Sequence, residues 1–137
     1  MARKKVLVFY PRYSETYKEL LEKNIPEAEF LICQNREEVE KRATEVEIAF
    51  VPRNFPQDLF SKMTRLEWVQ VMAAGVENYV ENAARFKDIP VCRIVGVFGK
   101  FMAEYVLGYI LYFNQNTPRV LRAMSEKKWD PFLLEFI

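Results

Sequence analysis

Leu66–Val80 reads LEWVQVMAAGVENYV, and this stretch sets the pattern for the chain. Leu66–Val71 (LEWVQV) has the length and apolar content of a strand. Ala73–Ala74–Gly75 follows as a turn of small residues, and Val76–Phe86 is predicted as a helix. Strand, tight turn and helix in that order form the repeating unit of a parallel sheet.

The same unit recurs upstream. Lys5–Tyr10 (KVLVFY) is a continuous apolar run ended by Pro11, as expected of a strand buried on both faces. Ser14 offers an N-cap, and Tyr17, Leu20 and Leu21 recur at helical spacing up to Asn24. Glu29–Cys33 (EFLIC) is a second strand, and Arg36–Thr44 a charged helix with Val39 and Ala43 four apart. Glu47–Val51 (EIAFV) is a third strand closed by Pro52. Gln57–Met63 is a short helix with Leu59, Phe60 and Met63 facing inward. Downstream, Val91–Val95 (VCRIV) after Pro90 supplies a fifth strand. The expected fold is α/β: a flavodoxin-like parallel five-stranded sheet with helices on both faces, plus a C-terminal helical arm.

That arm differs in kind. Gly96 and Gly99 bracket Val97 and Phe98, and a helix is predicted from Lys100 to Asn116. Between Tyr105 and Gln115 it carries no charge, and its apolar residues lie on nearly every side. A surface helix normally keeps one polar face, so this one needs cover from two directions. The expected division is 1–97 for the sheet domain and 98–137 for the arm.

Bulk composition narrows the function. Twenty basic and nineteen acidic residues leave a formal charge of +1, against any general attraction to nucleic acid or anionic membrane. There is no histidine, which excludes a Ser-His-Asp triad, a histidine base and histidine-bound zinc. No metal site is expected. Cys33 and Cys92 each sit in an apolar run and read as buried thiols; a single pair makes a poor disulfide framework. MARKKVLVFYPRY lacks the apolar length of a secretory signal, and Tyr105–Phe113 falls far short of the roughly 20 residues of a membrane span. The chain reads as cytoplasmic.

Three features carry candidate chemistry. Met72–Val80 (MAAGVENYV) straddles the turn after the fourth strand, where ligands of open parallel sheets bind. Small residues there admit a ligand to the backbone, and the next helix aims N–H groups at it, which suits a carboxylate or phosphate. The turn equally reads as a tight corner needing glycine for space alone. Without GxGxxG it is not a dinucleotide fingerprint. Arg53, just after the third strand, can hold a carboxylate by two parallel bonds, or stand as an exposed loop arginine. Glu104, the one charge between Phe101 and Gln115, suits the positive start of its helix or an ion pair. As a catalytic carboxylate it has no partner in view.

Residues 66–80 followed by Arg93–Gly108 (RIVGVFGKFMAEYVLG) resemble the D-2-hydroxyacid dehydrogenases, above all their glyoxylate/hydroxypyruvate reductase branch. The shared order is a strand, an AGV(D/E) turn with a helix, a strand, a glycine-bracketed crossover, and a helix opening AEYVLG. Lys128–Trp129–Asp130–Pro131 is similar to the tryptophan segment ahead of the branch's second domain. The likeness spans the chain in layout and residues 66–131 in specific motifs.

The resemblance implies that the backbone amides of Ala74 and Gly75 hold the carboxylate of a small 2-keto or 2-hydroxy acid. It implies that Arg53 assists, and that Gly96 and Gly99 form a hinge to a nucleotide domain. The 100–116 helix becomes a homodimer interface, and Met102 lies near the nicotinamide of NAD or NADP. In such enzymes the GxGxxG turn and the catalytic arginine, glutamate and histidine come later than Ile137. The chain therefore reads as the substrate-binding part of an oxidoreductase, trimmed or naturally short, with no catalytic residue of its own. On that reading it is inactive alone and binds no NAD(P). The alternative is a stand-alone flavodoxin-like module for small-carboxylate binding or dimerisation without catalysis. A receiver-type signalling domain is excluded because Tyr10–Pro11–Arg12 stands where its acidic cluster belongs, and the same residues exclude a flavodoxin phosphate loop.

Overall fold

The computed structural model describes residues 3–129. It divides into two compact units, Met1–Val95 and Gly96–Ile137.

In the first unit, five parallel strands run in the order β2-β1-β3-β4-β5: β1 (Lys4–Phe9), β2 (Ala28–Cys33), β3 (Ile48–Val51), β4 (Trp68–Val71) and β5 (Val91–Arg93). This is the flavodoxin-like order. The first crossover steps one way across the sheet and the later ones step the other way. Right-handed connections therefore put helix α1 (Ser14–Asn24) on one face and the later helical segments on the opposite face.

Those later segments are α2 (Arg36–Arg42), 3-10 turns at Ala43–Glu45, Gln57–Lys62 and Ala83–Phe86, and α3 (Glu77–Val80). They bury the odd-numbered strand residues Leu7, Leu31, Ala49, Val51, Val69 and Val71 against Val39, Leu59, Phe60 and Phe86. On the even face Tyr17 sets its ring against Phe50, while Trp68 stays partly open beside a groove of about 380 Å³. Helix α2 is started by Asn35, whose side chain accepts the Glu38 N–H at 3.0 Å while Glu38 accepts the Gln34 N–H at 2.8 Å.

Several sequence expectations change. Ser14 is the first helical residue, not the cap; it is buried, and its Oγ accepts from Gln34 Nε2 at 2.8 Å. The single helix expected over 76–86 is α3 plus a 3-10 turn. Asn82 Nδ2 takes the Asn78 carbonyl at 2.8 Å, a local bond that competes with the helical ladder. Cys33 is buried but Cys92 is exposed. Cys92 pairs with Gln70 and so lies on the even face of β5, whereas α1 packs on β1 and β2.

In the second unit, α4 (Gly99–Asn114) starts one residue before and ends two residues before the expected bounds, and is followed by α5 (Thr117–Ser125). Asn116, in the left-handed region at φ 49°, makes the corner, and Pro118 suits the first turn of α5. Phe101, Tyr105, Leu107, Ile110, Leu111 and Phe113 are all exposed on α4. No helix among the described residues is long and apolar enough to cross a membrane. Asp130, Pro131 and the final Leu134–Ile137 lie outside the described residues; Trp129 is exposed.

Candidate functional site

Parallel strands point one way, so the segments leaving β3, β4 and β5 meet at one carboxyl edge. Arg53 leaves β3, Ala73–Ala74–Gly75 leave β4, and Arg93 ends β5. Arg53 and the turn are joined through Glu77. Its Oε2 lies 3.8 Å from Arg53 Nε, and a Cβ built on Gly75 would stand 2.8 Å from the same oxygen. A carboxylate of the chain's own thus sits over the turn and beside the arginine. Both side chains are solvent-accessible, so this ion pair adds little to stability.

The turn is tied from behind. The Ile94 N–H donates to the Ala73 carbonyl at 3.0 Å, and Arg93 Nη1 donates to the Ala74 carbonyl at 3.2 Å. Among the described residues the Ala74 and Gly75 N–H groups donate to no protein acceptor. Two free amides beside a guanidinium can receive a carboxylate. The expected help from the following helix is small, because α3 is only four residues long. Gly75 is not in the left-handed region, so its backbone does not demand glycine; Gly96 is, at φ 85°.

Arg93 escaped the sequence reading because it lies inside an apolar run. The signal was its position, a lone charge at the end of a strand neighbouring the turn. The other expected residues are placed as follows. Gly99 begins α4 with open space around it, Met102 is exposed on α4, and Glu104 pairs with Lys100 at 3.9 Å. No cluster of potential metal ligands occurs among the described residues.

A second charge cluster lies at the opposite, amino edge. Glu47 is buried and accepts the Lys5 N–H at 2.9 Å, with Lys4 and Arg65 each 3.3 Å away. The Lys5 amide bond holds its carboxyl below the usual range. These partners account for the charge as a structural tie.

The sequence matches the family model for the D-isomer specific 2-hydroxyacid dehydrogenase, catalytic domain, over residues 6–129. The chain belongs to this family. A D-isomer specific 2-hydroxyacid dehydrogenase family protein from Aeromonas salmonicida is 25% identical, with a TM-score of 0.78, over 95% of this chain and 41% of that one. The Xanthobacter autotrophicus enzyme, solved with NADPH and MES, is 22% identical with a TM-score of 0.70, over 95% of this chain and 41% of that one. The Aquifex aeolicus D-lactate dehydrogenase, solved with NAD and lactic acid, is 17% identical with a TM-score of 0.67, over 91% of this chain and 38% of that one. The last two likenesses are of fold. No curated protein sequence matches the chain. The chain spans about two-fifths of the length of these dehydrogenases.

Dinucleotides are held where a glycine-rich turn feeds a helix N-terminus. Here the turn after β1 carries Tyr10 and Tyr13 with rings stacked at 5.7 Å, and the turn after β4 is faced by the Glu77 carboxylate. Neither turn carries the GxGxxG sequence of a dinucleotide site.

Proposed function

We propose that this chain is the substrate-binding part of an oxidoreductase that transfers a hydride between NAD(P) and a small 2-keto or 2-hydroxy acid. The Ala74 and Gly75 amides and the Arg53 guanidinium receive the acid's carboxylate. The observation that carries this reading is the Glu77 carboxylate, which rests between Arg53 and the turn. An incoming acid takes that place and moves Glu77 aside. When bound, the dinucleotide would give a hydride as NAD(P)H to the keto acid, or take one as NAD(P)+ from the hydroxy acid. A separate nucleotide domain would hold it, so the chain by itself neither grips the dinucleotide nor turns substrate over. The apolar surface of α4 pairs with a second copy, as exposed apolar patches mark interfaces.

Two exposed amide bonds and one guanidinium support affinity only on the order of millimolar. Calorimetry with oxamate, an unreactive 2-keto acid analogue, tests the reading. Wild type binds in that range, and Arg53→Ala weakens binding by about tenfold, the loss of one charge-assisted contact. Equal affinity in the two proteins would remove Arg53 from the site. Turnover of glyoxylate or hydroxypyruvate with NADH or NADPH by the purified chain would refute the claim of inactivity.

A further inference from the structure

We infer that Arg93 is a positioning residue: it fixes the direction of the Gly75 amide. This rests on the carboxylate-site reading above. The argument is one of peptide geometry. No described peptide bond is cis, so the Ala74 carbonyl and the Gly75 N–H point in opposite directions. Whatever holds the carbonyl therefore aims the amide. The holder is Arg93 Nη1 at 3.2 Å, and no other described residue donates to that oxygen. The preceding peptide is set by the main chain, since the Ile94 N–H takes the Ala73 carbonyl and turns the Ala74 N–H away from β5.

The two amides thus have different supports. Ala74 is aimed by a backbone bond, which any residue at position 94 except proline provides. Gly75 is aimed by a side chain, and glycine's wide conformational range makes the Ala74–Gly75 peptide free to rotate without it. Arg93 is suitably placed because it stands in register with Val71, the last residue of β4, so its side chain spans only the short distance to the turn. Its positive charge beside an anion site is a competing explanation for any effect on binding. The test must separate orientation from charge.

Nitrogen-15 relaxation at Gly75, with oxamate titrations alongside, makes that separation in wild type, Arg93→Met and Arg93→Gln. Met keeps the stem without a donor; Gln keeps an N–H donor without charge. The Gly75 order parameter should fall from about 0.85 in wild type to below about 0.6 in Arg93→Met, or slow exchange should appear there, while the strand amides stay rigid. Oxamate affinity should drop by about tenfold, the effect of one misdirected donor. Arg93→Gln should restore the Gly75 order and most of the affinity. An unchanged Gly75 amide in Arg93→Met overturns the positioning role even if wild type binds oxamate. A Gly75 that loosens in Arg93→Met, alongside a wild-type protein that ignores oxamate, keeps the brace and overturns the carboxylate site. Weakened oxamate binding in Arg93→Met with Gly75 still ordered assigns the loss to charge and overturns the inference.

Discussion

Replacing Tyr79 with phenylalanine removes one oxygen from the strut between the two halves of the candidate site. Tyr79 lies on α3 two residues after Glu77, and its hydroxyl donates to the Pro52 carbonyl at 3.2 Å, next to Arg53. The ring is buried against Phe60 and Phe86, contacts that phenylalanine keeps. At pH 7 the cost is one neutral hydrogen bond, about 1 kcal/mol. Burial pushes the phenol up to about 12 from its ordinary 10.0. The folded pKa therefore lies above the unfolded one. Stability tied to the neutral phenol is intact below about 10 and is lost as pH rises towards 12. In that window wild type loses about 1.4 kcal/mol per pH unit that the variant does not lose. The deficit of about 1 kcal/mol is cancelled within roughly one unit, so the variant becomes the more stable protein near pH 11. Urea unfolding followed by circular dichroism from pH 7 to alkaline pH measures this. Titrations common to both proteins cancel in the difference. A deficit that stays constant with pH refutes the reasoning.

Gly75→Ala should fold normally, changing stability by no more than about 0.5 kcal/mol, because the new Cβ meets only the movable end of Glu77. It should still abolish calorimetric binding of oxamate, since that Cβ occupies the ligand's place. Leu111→Asp on α4 should lower the mass found by light scattering from dimer to monomer, with the circular dichroism of the sheet retained. A wild-type monomer at micromolar concentration would contradict the proposed pairing. Under native conditions a thiol reagent should modify Cys92 alone, and Cys33 only after denaturation, because burial leaves Cys33 inaccessible and raises its thiol to about 11.

The sheet was legible because strands buried between layers must be apolar throughout, and four of the five were ended by proline or small residues. Their order was expected as flavodoxin-like, and crossovers of fixed hand then decide which face each helix covers. That Arg53 and the Ala73–Gly75 turn share one edge was legible because segments leaving parallel strands meet at the strands' carboxyl ends. What escaped depended on partners the local sequence does not name. The break after α3 comes from Asn82 reaching its own chain, and the exposure of Cys92 comes from α1 covering the far strands. An apolar run says that a residue is in a strand, not that its face is covered. Arg93 and Glu77 escaped because their roles arise only when β4 and β5 lie side by side and the turn folds back between them.

The most direct test of the carboxylate site is residue-resolved amide NMR of the wild-type chain titrated with oxamate. The Ala74 and Gly75 amides and the Arg53 Nε–H should move most and saturate together on the order of millimolar, while Lys5 and Glu47 at the amino edge stay still. Shifts centred on the amino edge or on α4, or no saturable shift at Ala74 and Gly75, would contradict it.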